Sequence, residues 1–564
     1  MSEKPWLNRY DEGVPHHIDY PKVPVFKLLE ESAKKYSDSD CTIFKGAKIT
    51  YREMDEVTDR LAAGLANLGV RKGDRVGIFM PNTPQFVMAF FAVLKLGAIV
   101  VAINPLYSAR EIEHQTNDAG IEVMLVMSNF YNLIKEVQPK TKIRTIIVTN
   151  IKETLPSILA FLFTLTKEKK GGFRIQLAEG DHWMQDLIND HKPEDRPEVE
   201  VLPDDNALFQ YSGGTTGVPK AAIAMHRNLV ANSIQVRRWM VDAEDGQEMV
   251  LMAIPLFHVY GLVAGMLFAI YTGASMVMVP NPRDLEDLLS NAQKYKATIF
   301  PGVPTLYNAI NNHPDVLAGK YDLSSIKACI SGSAPLMRET KEKFEELSGG
   351  ILFEGYGLSE TPTASHCNPI LGENRTGSIG LPLPDVDCRI VSLDDEITVL
   401  STGEIGELVI KGPMVMKGYH NMPTETANTL REGWLYTGDI ARMDEDGYFY
   451  IVDRKKELIK PSGYQVWPRE VEEVISDNPK VLEVGVAGVP DPYRGETVKA
   501  WIVVKPGETL TEEEIKAWSS DKLAKYKVPS QVEFRDELPK TTVGKILRRE
   551  LVREHKEAQA ETVE

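Results

Sequence analysis

The sequence predicts an α/β protein: a large N-terminal domain of helix-covered sheets over residues 1–453, then a small α+β C-terminal domain over 454–564. Three observations lead there. Strand-like apolar runs alternate with helix-like ones through most of the chain, the pattern of parallel sheets covered by helices. A chain of 564 residues is too long for one core. After Asp453-Arg-Lys-Lys-Glu457 a shorter, self-contained set of strand and helix signals begins.

Taken in order, Arg75 to Met80 reads as a buried strand. Thr83-Pro84 opens a helix to Leu96, because proline suits a first helical position. Ala98 to Ile103, Val123 to Met127 and Thr145 to Val148 read as further strands. In the last segment Pro468 starts a helix, and Val484 to Val489 and Val498 to Val504 read as strands. Thr511 with Glu514 forms a capping box for a helix toward Ala524.

Two apolar stretches raise the question of a membrane span. Phe86 to Ile103 carries Lys95 and Gly97, and Met249 to Pro280 is broken by Pro255, Gly261, Gly265 and Gly273. Buried strands and helices explain both better. Leu155 to Thr166 is apolar nearly all round, too short to span, and followed by Lys167-Glu-Lys-Lys170. It reads either as a helix on a membrane surface with lysines at the headgroups, or as a helix capping the N-terminal domain, which we favour.

Composition is that of an ordinary globular enzyme, with 43% apolar and 26% charged residues. A net charge of -17 without a basic tract gives nucleic acid no footing. The four cysteines are scattered without metal-ligand spacing, which reads as reduced thiols in a cytoplasmic protein. The polar N-terminus has no signal-peptide core.

The sharpest local signal is Tyr211-Ser-Gly-Gly-Thr-Thr-Gly-Val-Pro-Lys220, after a short strand at Ala207 to Phe209. Gly213, Gly214 and Gly217 free the backbone to turn its amides toward an anion. Ser212, Thr215 and Thr216 add hydroxyls, and Lys220 adds charge. No GK[ST] follows the glycines, so this is not a Walker A loop. Nor does the chain hold a GxSxG elbow or an HExxH zinc site.

With that loop the chain resembles the adenylate-forming superfamily of acyl-CoA synthetases, luciferases and peptide-synthetase adenylation domains. Five further motifs stand in the superfamily's order: Ser331-Gly-Ser-Ala-Pro335, Gly355-Tyr-Gly-Leu-Ser-Glu-Thr361, Tyr436-Thr-Gly-Asp439, Asp453-Arg-Lys-Lys456 and Lys540-Thr-Thr-Val-Gly-Lys545. The resemblance covers nearly the whole chain and implies a mobile small domain.

It also assigns roles that the residue types can fill. Gly332, Ser333, Ala334, Glu354, Gly355, Tyr356 and Gly357 would border the nucleotide, with the Tyr356 ring along the adenine. Glu360 is a hard oxygen ligand suited to Mg²⁺ beside phosphates, with Ser212 as its companion. Ser359 stands where the superfamily usually has threonine. Asp439 would accept hydrogen bonds from the ribose diol, with Arg454 as a second contact. Lys456 matches the hinge, and it and Lys460 join the nucleotide-binding set.

Lys545 would stabilise charge building on the α-phosphate. His258 would position the acyl carboxylate. With Tyr260, Gly261, Gly302 and Val303 it would border the acyl pocket. Ser462, Gly463 and Tyr464 would line a channel for the pantetheine of coenzyme A.

The implied reaction has two steps. A carboxylate and Mg·ATP give acyl-AMP and pyrophosphate; a thiol, most simply that of coenzyme A, then displaces AMP. The pocket segments around His258 and Gly302 to Tyr307 carry no permanent charge, which disfavours an amino-acid substrate. The chain looks closest to long- and medium-chain fatty-acid–CoA ligases. An aryl-acid ligase of the coumarate or benzoate type, and an adenylation enzyme loading a carrier protein, are the alternatives. Cytoplasmic placement, peripheral contact with the inner membrane surface and a homodimer fit the same resemblance.

Overall fold

A computed structural model describes residues 4–212, 219–461, 464, 466–541 and 544–561. The chain packs as two compact units. One holds Trp6–Asp387 with Lys411–Gly433; the other holds Cys388–Ile410 with the chain from Trp434 onward.

The larger unit is built on two sheets. In the first, Arg75–Phe79 lies between Ile99–Ala102 and Val123–Met127, all parallel. Thr145–Thr149 extends it beyond Val123–Met127. On the other side Asn206–Ser212 pairs in parallel with Ile99–Ala102 and then turns back as an antiparallel hairpin with Lys220–Met225. Gly418–Tyr419 adds the outer edge to that hairpin. The second sheet runs in parallel through Met249–Met252, Ile299–Gly302, Ala328–Ser331 and Ile351–Tyr356.

The apolar runs fold for the reasons the sequence offers. Pro84–Lys95 is a helix entered through Thr83, with Pro84 at its first turn, and every residue in it is buried. Lys95 is fully buried because Asp55 and Asp59 each reach its ammonium at 2.6 Å. A charge removed from water needs such partners. Met249 to Pro280 divides into a strand, a π-helix at Tyr260–Leu267, a helix at Phe268–Thr272 and a strand at Ser275–Met278. No helix among the described residues is long and apolar enough to cross a membrane.

The smaller unit has two sheets of its own. Gly406–Lys411 pairs with Trp434–Met443, which pairs with Phe449–Arg454. Val481–Asp491, Gly495–Val504 and Gln531–Phe534 form a three-stranded sheet. Pro468–Ser476 packs on it through Val471 and Ile475. The Thr511 capping box is present, and its helix ends at Ser520 rather than Ala524. The chain passes between the compact units at 387/388, 410/411 and 433/434, and Phe449–Arg454, which ends beside the 453–457 stretch, pairs within a sheet of the smaller unit. The 453–457 joint therefore stays a proposal about motion.

One expectation is decided differently. A helix capping the N-terminal domain would bury its apolar face, yet in Ser157–Thr166 only Ala160 and Phe163 are half-buried and every other residue is exposed.

Candidate active site

The glycine-rich segment joins the antiparallel strands Asn206–Ser212 and Lys220–Met225, in which Ser212 is paired with Lys220. Gly213, Gly214, Thr215, Thr216 and Gly217 lie outside the described residues, as does the side chain of Ser212. Past the turn, Lys220 is ion-paired with Glu425, and its ammonium lies 5.4 Å from the centre of the Tyr419 ring. The Tyr419 hydroxyl donates to Oε1 of Glu360 at 2.7 Å. The Met416 amide donates to the Glu360 carbonyl at 2.8 Å, fixing the backbone as well. Burial and the facing carboxylate both raise the Tyr419 phenol, so it stays a donor.

Tyr419 reaches this position because Gly418–Tyr419 pairs with Ile223 and Ala222 of the hairpin. The fold thus brings the Lys220 ammonium and the Glu360 carboxylate onto one ring. Tyr419 and Glu425 carry no signal in the sequence beyond their place after Lys417-Gly. Among the described residues no group of three or more His, Cys, Asp and Glu could hold a metal ion. One carboxylate suits Mg²⁺ that keeps waters and phosphate oxygens as its other ligands.

Tyr356 and Gly355 end the strand Ile351–Tyr356, which turns antiparallel against His366–Cys367. The Tyr356 ring is half-buried and meets His366 edge-on at 5.7 Å. Gly357 has no room for a side chain: a Cβ there would sit 1.2 Å from the Thr363 carbonyl oxygen. Glu354 is buried on the same strand, and Ser359 and Glu360 are half-buried just beyond it. Gly332 is buried against the Tyr260 ring, followed by exposed Ser333 and half-buried Ala334. Ser333 holds φ at 71°, a left-handed conformation that is costly for serine and concentrates at functional sites.

His258 sits at the entry to the π-helix. Its Nδ1 accepts from the Tyr260 amide at 3.3 Å, which leaves the proton of the neutral ring on Nε2. Burial pushes its pKa down to about 4, so the ring is neutral near pH 7 and a hydrogen-bond donor. The Tyr260 hydroxyl is already committed, donating its one proton to the Ile330 carbonyl at 2.6 Å, with the Gly302 carbonyl a longer second acceptor at 3.1 Å. Gly302 gives space to the Tyr307 ring, and Gly261 lets the π-helix pass the Pro255 carbonyl. Val303 precedes the helix Pro304–Asn311.

In the smaller unit Asp439 and Arg454 face each other across the ladder, with Nε to Oδ1 at 3.0 Å. Asp439 is buried, and its amide bonds the Thr437 hydroxyl at 3.1 Å. Lys545 lies in their field. Burial, and then Arg454, lower its pKa to about 8, against Glu457 and Asp439, which raise it. Gly544 adopts φ of 75°, and its amide donates to the Thr541 carbonyl at 3.0 Å.

Lys456 and Lys460 are exposed. Tyr464 stacks on Tyr526 at 4.7 Å, while Ser462 and Gly463 lie outside the described residues. No sequence motif singles out Arg548. Its guanidinium meets Asp453 at 3.1 Å, Glu472 at 2.6 Å, and Glu457. It thereby holds both residues that flank the 454–456 stretch.

Comparison with known proteins agrees with this layout. The AMP-binding enzyme profile matches residues 29–420, and the AMP-binding enzyme C-terminal domain matches 470–545. A long-chain-fatty-acid–CoA ligase of Bacillus subtilis (strain 168) is 43% identical over 558 residues, covering 99% of both chains. One of Escherichia coli O157:H7 is 40% identical, covering 97% of this chain and 98% of the relative. Among solved structures, the anthranilate CoA ligase AuaEII in complex with anthranoyl-AMP superposes with a TM-score of 0.84 at 28% identity, over 96% of this chain and 98% of that one. The chain belongs to the AMP-binding enzyme family.

Proposed function

We propose that this protein is an AMP-forming acid–thiol ligase acting on long-chain fatty acids. The acid's carboxylate oxygen attacks the α-phosphorus of ATP, forming acyl-AMP and releasing pyrophosphate. The thiol sulfur of coenzyme A then attacks the acyl carbon, and AMP leaves.

The observation that carries the reading is the cluster of Lys220, Tyr419 and Glu360 at the end of the glycine hairpin. It sets a cation and an oriented carboxylate where a loop of amides would receive phosphates. Glu360 would hold Mg²⁺, which supplies charge neutralisation to the phosphates. Asp439 and Arg454 would take the ribose, and the Lys545 ammonium would stabilise charge on the α-phosphate. Neutral His258 would donate from Nε2 to the acyl carboxylate without adding charge to an apolar surrounding. An apolar chain, rather than an amino acid, fits those neighbours. The buried, free cysteines support a reducing compartment such as the cytoplasm.

The test is acid-dependent pyrophosphate release from Mg·ATP over octanoate to palmitate plus coumarate, with and without coenzyme A. Coenzyme-dependent turnover on the fatty acids is expected. Turnover confined to coumarate would replace the fatty acid by an aryl acid. Release of one equivalent per enzyme, indifferent to coenzyme A, would point to a carrier-protein acceptor.

A further inference from the structure

The helix Ser157–Thr166 carries an apolar stripe that faces away from the core. Ile158, Phe161, Leu162 and Leu165 follow one another at i, i+3, i+4 and i+7, the spacing of a face that ordinarily meets a core. Here they are 76%, 63%, 47% and 66% exposed. The opposite side, with Ala160 and Phe163, is half-buried, and the Phe163 ring meets Phe173 edge-on at 5.3 Å.

The base of the helix is anchored, so the stripe is held outward. Glu168 is ion-paired with Lys152 at 2.6 Å. The Asn150 amide group donates to Glu168 at 3.1 Å and to the Phe173 carbonyl at 3.2 Å.

Charge adds a second, independent feature. Lys167, Lys169, Lys170 and Arg174 lie beyond the helix C-terminus, where Lys169 and Lys170 are exposed. The only acidic residue from 155 to 174 is Glu168, which is buried and paired. The outward surface therefore joins an apolar stripe to a purely cationic end, within a protein of net charge -17.

We propose that this helix docks the protein peripherally on an anionic lipid surface. The stripe enters the boundary between headgroups and acyl chains, and the cations meet lipid phosphates. Ten residues span about 15 Å, enough to lie in the interface and too short to cross it. A second copy of the chain is a poorer occupant, because a two-fold contact through the stripe would bring the two cationic ends into one interface. The remaining negative charge acts weakly beyond a Debye length of about 10 Å. The proposal rests on the fatty-acid reading only for its purpose, since docking would place the protein where its substrate dissolves.

The experiment is flotation of the full-length protein with vesicles of phosphatidylcholine, alone or mixed with phosphatidylglycerol. The protein is expected to float with the anionic vesicles and to be released by high salt. The triple variant Ile158→Gln, Phe161→Gln, Leu165→Gln should bind at least tenfold more weakly. The triple variant Lys167→Gln, Lys169→Gln, Lys170→Gln should lose the preference for anionic lipid. Both should keep wild-type turnover of octanoate, a water-soluble acid, because neither touches the site. Failure of the wild type to float with anionic vesicles, or undiminished binding by the apolar triple variant, overturns the proposal. So does a wild-type dimer that the apolar triple variant splits without any vesicle binding, which would make the stripe a self-association surface. Absent octanoate and palmitate turnover by the wild type would count against the proposed reaction and leave the flotation result standing.

Discussion

Tyr419 donates its hydroxyl to Glu360 at 2.7 Å while its ring lies 5.4 Å from the Lys220 ammonium. A hydrogen bond to a carboxylate contributes about 1.5–3 kcal/mol and also fixes which way the acid points. Tyr419→Phe keeps the ring and removes only the hydroxyl. Adenylation by that variant should fall about tenfold and need more Mg²⁺ for half-maximal rate, while acyl transfer from supplied acyl-AMP stays unchanged. Mn²⁺ binding in the presence of ATP, followed by electron paramagnetic resonance, should weaken in parallel. An unaltered metal requirement would show that the hydroxyl does not position Glu360.

Lys545→Ala should reduce acyl-AMP formation by about 10²–10³-fold, the scale of losing one preorganised charge in a reaction site. Thioester formation from supplied acyl-AMP should persist. Because its pKa is lowered to about 8, the ammonium is lost as pH rises through that value. Single-turnover adenylation should then decline above about pH 8. A flat alkaline limb in the wild type would remove Lys545 from that role.

Arg548 holds Asp453 and Glu457, on either side of Lys456. Lys456→Pro fixes φ at a position proposed to rotate and should slow the thiol step more than adenylation. Arg548→Met removes the clasp and should alter the ratio of the two half-reactions. Equal losses in both half-reactions, measured separately for each variant, would sink the hinge assignment.

Three histidines are held neutral by burial: His226 and His258 at about 4 and His366 at about 3. Below pH 6.5 the unfolded chain binds protons that the native chain refuses, so stability falls with pH from there down through about 4. Each of the two fully buried rings, His226 and His366, accounts for roughly 3 kcal/mol of that loss by about pH 4. His226 is the cleanest test, being fully buried with its Nδ1 accepting from the Val25 amide at 3.1 Å. His226→Asn should be less stable than wild type at neutral pH and should lose less on acidification to about pH 5. Parallel pH dependences in denaturant melts would contradict the assignment.

Much of the fold and of the candidate site is legible in the sequence, and the reason is locality. Strand runs such as Val123–Met127, the Thr83–Pro84 helix entry and the Thr511 capping box depend on residues within one turn or one strand. So do the candidate residues, because motif order along the chain survives without knowledge of packing. The helix expected to run toward Ala524 stops at Ser520, because a good cap says where a helix starts and nothing about where packing ends it.

The sequence by itself determined the strand and helix alternation, the glycine-rich loop and the identity of the groups that would meet nucleotide and acid. Tertiary structure alone decided their neighbours. Tyr419 reaches Glu360 across 59 residues only because a two-residue strand pairs with the hairpin. Arg548, at the start of the helix Arg548–Glu561, returns across 95 residues to Asp453. It also decided that the stripe of Ile158, Phe161, Leu162 and Leu165 faces outward. Periodicity shows that a helix has an apolar face; which surface covers it depends on what else the fold brings near.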